Sequence, residues 1–157
     1  MREIKFRGKR IDGKGMVYGD LLTGMGYKRG QYFILPHLTY YPADCDSYDG
    51  YNVDPETIGQ YTGLKDKNDK EIYEGDIVEW VFFYEKLGAN MGVKECDTIV
   101  KGIIRWRQGG FILEVTENDF ENAGYYSISA LYTDTESDVE IIGNIYVDPE
   151  LIKEEQK

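Results

Sequence analysis

The chain has 157 residues, with 18 Lys/Arg against 29 Asp/Glu and a formal charge of −11. That length fits a single domain or two small subdomains, and 41% apolar residues is too many for a disordered chain. Apolar runs such as Val81-Phe82-Phe83-Tyr84 fall far short of the roughly 20 residues a membrane helix needs, and the acidity works against nonspecific attachment to nucleic acid or an anionic membrane.

Met1-Arg2-Glu3-Ile4-Lys5 opens a charged stretch with no apolar segment behind it, which is not the pattern of a secretory signal. Ile4 and Phe6 alternate with charged residues and predict a half-buried strand closed by Gly8. Asp12-Gly13-Lys14-Gly15 reads as a turn into a second strand at Met16-Val17-Tyr18, and Gln31 to Leu35 as a third strand stopped by Pro36. Residues 36–56, with three prolines and four aspartates, predict an acidic loop rather than a core element. Leu64 and Ile72 flank a polar, Asx-rich centre, a hairpin signal. Glu74-Gly75-Asp76 turns the chain into the β-prone run Ile77 to Tyr84.

Residues 85–97 read as a loop. Thr98 to Arg107 is a long strand in which Gly102 predicts a bulge, and Gln108-Gly109-Gly110 turns it into Phe111 to Val115. Tyr125 to Tyr132 is ambiguous between strand and helical turn. Val139 to Tyr146 is a last strand, and Asp148-Pro149 predicts the start of a short C-terminal helix. Val53-Asp54-Pro55-Glu56 recurs as Val147-Asp148-Pro149-Glu150, an echo expected by chance. The expected fold is all-β with one short C-terminal helix. Two subdomains divide it: residues 1–73, carrying the acidic loop 36–56, and residues 74–157, whose Gly-kinked strands are written like a small SH3-like barrel.

Three stretches taken together resemble the YopX family of phage and prophage proteins: Arg2 to Gly8, Ile58 to Val78 and Glu140 to Tyr146. The resemblance spans nearly the whole chain and departs at Asp69, where members usually carry Gly in the hairpin. It implies a mostly-β fold of two subdomains, the second SH3-like, and a bacterial or phage-infected cytoplasm. It brings no activity and no catalytic residues.

The residues point to no chemistry of their own. Cys45, Cys96 and His37 are too few and too scattered for a zinc site, and the two cysteines are expected as reduced thiols. Phosphate-loop, dinucleotide and nucleophile-elbow patterns are missing. Asp44 to Gly50 approaches a calcium loop, but Tyr48 and Gly50 break its spacing. Glu79 and Glu114 sit within apolar strands, and alternation turns both toward solvent. No cofactor is expected, and no enzymatic role. Charge is segregated: residues 1–30 hold eight Lys/Arg against three Asp/Glu, and residues 31–157 hold ten against 26. Tyr40, Tyr41, Tyr48 and Tyr51 on the acidic loop, with Arg105 and Arg107 on the long strand, form the candidate interaction surface, and Trp106 is expected to face inward. A non-catalytic protein-binding or assembly role follows, with a protein partner or self-association into a homo-oligomer. Nucleic-acid association, or imitation of nucleic acid by the acidic surface, is the alternative.

Overall fold

The structure, a computed structural model, describes residues 3–23, 30–36, 50–87, 93–117, 124–131 and 139–152. The fold is mainly β. Its chain divides into two compact units, Met1–Gly63 and Leu64–Lys157, a boundary earlier than the 73/74 division expected from sequence. Ile72 explains the difference: it packs into the second core, so the hairpin before it belongs there too.

The first unit holds β1 (Phe6–Lys9), β2 (Met16–Thr23), β3 (Tyr32–Leu35), β4 (Tyr51–Val53) and β5 (Gly59–Lys65), the last running past the boundary. Their hydrogen-bonded order is β4-β3-β2-β1-β5, all antiparallel. A bridge ties β4 back to the residues following β1, with Ile11 N donating to Asn52 O and Asp54 N to Lys9 O. Val17, Ile34 and Val53 form the core, with Phe6, Leu21, Tyr32 and Ile58 against them. The acidic 36–56 segment is therefore not all loop: β4 lies inside it and buries Val53. One inward apolar residue among Asp and Pro neighbours carries too weak a periodicity to read. In β1, Phe6 packs toward this core as its alternation predicts, but Arg7 is buried as well, and Ile4, before the strand, is exposed. Gly19 faces its β3 neighbour so closely that an added Cβ would overlap the Leu35 carbonyl oxygen.

The second unit contains β6 (Glu71–Tyr73), β7 (Asp76–Leu87), β8 (Val93–Arg107), β9 (Gly110–Glu117), β10 (Tyr125–Ser127) and β11 (Val139–Asn144). Five of these form an antiparallel sheet in the order β10-β9-β8-β7-β11, and this order is open. Much of the predicted 85–97 loop is strand, because β7 and β8 pair without a break from Ile77↔Ile103 to Leu87↔Val93. Among the described residues, β9 pairs along β8 as far as Lys101, and β11 along β7 as far as Trp80. The register shift between Lys101 and Gly102 is the bulge that Gly102 predicts: a Cβ there would lie 2.5 Å from Glu114 O. Gln108 (φ 51°) and Gly109 (φ 82°) make the two-residue β8–β9 turn, whose two positive φ values match the right-handed twist of its strands. The ambiguous segment resolves into β10 followed by a 3-10 turn, Ile128–Leu131. The expected C-terminal helix is a single 3-10 turn, Pro149–Ile152, among the described residues. Val78, Trp80, Val100, Ile104, Leu113 and Val139 anchor the core, and Tyr126 meets Trp80 edge-on at 5.3 Å.

Gly75 has φ 86° and Asp69 φ 65°. A Cβ on Gly75 would also press on Tyr146 Cε2 at 3.0 Å. Gly75→Val is therefore expected to lower the urea midpoint by the equivalent of about 2 kcal/mol, whereas Asp69→Gly should stay within about 1 kcal/mol of the parent. A Gly75→Val protein that unfolds at the parent midpoint would refute the turn.

Candidate functional site

Among the described residues of the second unit, polar side chains gather at three places, two of them buried joints and the third an exposed surface. One is built from the segments that carry the family resemblance. Asp76 is buried and accepts from Tyr73 N at 2.8 Å; Asn144, also buried, donates through Nδ2 to Gly75 O at 3.0 Å. Asn144 Oδ1 accepts from Tyr146 N, and Asp148 Oδ2 accepts from Asn144 N at 3.0 Å. Gly75 N donates to Ile104 O, and Gly75 O also accepts from Ile145 N. This knot ties the start of β7 to the end of β11. Its polar groups satisfy backbone donors and acceptors, the arrangement of a structural joint rather than of a site that binds a reactant.

Asp66 makes a second joint. Its Oδ1 accepts from Asn68 N (2.8 Å) and Lys70 N (2.9 Å), and its Oδ2 from Ile141 N (3.2 Å). Burial pushes its carboxyl up, but the backbone donors of Lys70, Ile141 and Asn68 and the Lys70 charge outweigh that, holding it below the usual aspartate value.

The third place is the surface where β8, β9 and β10 run together. Arg105 Nε donates to Glu114 Oε2 at 3.2 Å, and Arg107 Nη2 to Glu114 Oε1 at 2.9 Å. Alternation along β8 puts the two arginines on one face, and the pairing of β9 with β8 brings Glu114 to them. Tyr125, opposite Glu114 on β10 and 62% exposed, lies with its ring centre 5.4 Å from the Arg107 guanidinium carbon. Trp106 is not a core residue: it is 47% exposed, because it stands at the hairpin end where the sheet no longer covers it, and it meets Phe111 edge-on at 4.8 Å. Its backbone N–H donates to Glu74 Oε1.

Of the sequence-predicted surface residues, Arg105 and Arg107 are brought together, and Glu114, singled out as an isolated strand carboxylate, is their shared acceptor. Tyr51 lies in the first unit, where the Arg10 guanidinium stacks 3.8 Å above its ring and also pairs with Asp12. Tyr40, Tyr41 and Tyr48 lie outside the described residues, as do Cys45, His37 and most of the calcium-like segment. Trp106 was missed as a surface anchor. A signal for Trp106 existed: it immediately precedes the β8–β9 turn, where inward-facing positions lose their cover.

Among the described residues, no three His, Cys, Asp or Glu side chains are grouped to hold a metal ion, and no helix is long and apolar enough to cross a membrane. Comparison with curated proteins returned no match. The description of the YopX protein family matches residues 5–153, and the chain belongs to that family.

Proposed function

We propose that this is a non-catalytic protein-binding or assembly module, a phage or prophage accessory protein that works in the bacterial cytoplasm. The observation that carries this reading is where the cationic side chains go. Arg105 and Arg107 both bond Glu114; Arg10 is engaged by Asp12 and Tyr51; Lys5 pairs with Glu3 at 3.3 Å and lies over the Tyr61 ring. A phosphate backbone would have to displace these internal carboxylates, on a chain of net charge −11, before gaining counterion-release affinity. Exposed Tyr125 beside Arg107, and exposed Trp106 on the opposite face of β8, are residue types that dominate protein interfaces. The same stack of arginine on tyrosine favours the second reading, a nucleic-acid-associated small barrel, because bases stack on such platforms. Our finer reading of the second unit as an SH3-like barrel is supported by its strand order, which sets the last strand, β11, beside β7, and by the bulge at Lys101/Gly102.

Fluorescence anisotropy with duplex and single-stranded DNA, run beside light scattering, separates these readings. At about 0.15 M salt the expected result is no saturable DNA binding below micromolar protein. Particle mass should exceed the monomer at about 0.02 M salt and fall at about 0.5 M, as exposed charge pairs are screened. Tight, salt-steep DNA binding would install the second reading, and a monomer at both salts would remove self-association.

A further inference from the structure

The five-stranded sheet has two outer strands, and they end differently. β10 is three residues long, too short to template much pairing. β11 is six residues long, and its inner side pairs with β7. On its outer side, Val139 O accepts from Lys67 N at 2.9 Å, and Ile141 N donates to Asp66 Oδ2 at 3.2 Å. Those outward groups are the ones a neighbouring strand would use. A backbone N–H and a side-chain carboxylate, both from the 66–70 hairpin, stand in for that strand. The hairpin is well braced for this: Asp66 N donates to Lys70 O, Asp69 N to Asp66 O, and the Lys67 ammonium sits 2.6 Å from the Glu140 carboxylate on β11 itself.

We propose that the 66–70 hairpin is an edge guard: it occupies the outer hydrogen-bonding side of β11 and keeps that strand from pairing with a strand of another chain. Asp66 suits the task because a carboxylate satisfies the Ile141 N–H and yet offers no donor and no free edge of its own to pass the ladder on. This inference stands apart from the functional reading, since it holds whatever the protein binds.

In a purified sample the only strand on offer is another copy's, so self-association reports the guard. The full chain carrying Asp66→Ala is compared with the parent by light scattering over a concentration series, with far-UV circular dichroism and urea unfolding to establish that it folds. Expected is at least a doubling of weight-average mass over the parent, rising with concentration, with the Ile141 amide exchanging faster than in the parent only at the dilute end, where copies are apart. Adding Ile141→Pro, which deletes the outward donor and leaves the inward ladder bonds to β7, should return the mass to the parent value, with urea unfolding establishing that the loss of the Ile141 side chain from the core is tolerated. Lys67→Pro is the second variant. Lys67 follows Asp66 in the turn, a position that accepts proline, so this change removes the donor to Val139 O while keeping the hairpin. It should raise the mass in the same direction, and it decides the matter alone if Asp66→Ala does not fold. Parent-like mass in every folded variant would overturn the proposal, and so would growth that Ile141→Pro leaves unchanged.

Discussion

Gly19→Ala is expected to unfold the first unit. The methyl group would overlap the Leu35 carbonyl oxygen and also crowd Leu35 C and Pro36 Cα, all of them backbone atoms that cannot swing aside. Relief requires β2 and β3 to separate where Asp20 pairs with Leu35, next to the buried Ile34 that centres this unit's core. The cost should be about 4 kcal/mol or more, at the upper end of what one substitution does. Hydrogen exchange read by mass spectrometry checks it: peptides from β1 to β4 should lose protection while those from β8 and β9 keep theirs. Parent-like protection in β2 and β3 would mean the two strands do not approach as described.

Asp76→Ala is the second large effect. Asp76 is 1% exposed, and its carboxylate is the acceptor for Tyr73 N–H and lies 3.5 Å from Asn144 Nδ2. Truncation removes the acceptor of the buried Tyr73 N–H, while Asn144 Nδ2 keeps its bond to Gly75 O, at a cost of about 3 kcal/mol. Asp76→Asn keeps one acceptor oxygen and should cost less. Urea unfolding followed by tryptophan emission measures both, since Trp80 and Trp106 lie in the same unit as the knot. If Asp76→Ala and Asp76→Asn unfold together at the parent midpoint, the knot contributes nothing to stability.

Where strands carry long alternation or strong β-propensity, their chemistry could be read directly. Ile77 to Tyr84 and Thr98 to Arg107 belong to strands, Gly102 sits at a bulge, and Gly75 has its positive φ. The hidden parts have specific causes. β4 is three residues long and flanked by Asp and Pro, so its one buried side chain, Val53, gives no period to detect. Residues 85–87 and 93–97 are polar and Gly-flanked, yet cross-strand pairing extends through them. The Asp-Pro-Glu echo that looked accidental marks a shared local device, since both copies open a 3-10 turn with proline first. Of the candidate surface, the arginine pair was legible because period-two spacing puts residues 105 and 107 on one face. Its acceptor Glu114 and its cover Tyr125 come from other strands, and only the register supplies them. The segments that carry the family resemblance turn out to hold joints: Asp66, Gly75, Asp76 and Asn144 each bond backbone groups.

The unequal reach of the strands around β7 and β8 shapes how this unit comes apart. Past Trp80 and Val100, seven residue pairs, Val81↔Ile99 to Leu87↔Val93, have each other as ladder partners and no third strand among the described residues. A two-stranded ribbon in water is marginal by itself. Along the ladder, each pair here is flanked by one nearer the sheet and one beyond it. Opening therefore works like a zip fastener, starting from the Leu87/Val93 end and stopping where β9 and β11 clamp the ribbon on both sides. The sheet can lose its outer rungs singly while the core around Trp80 stays shut.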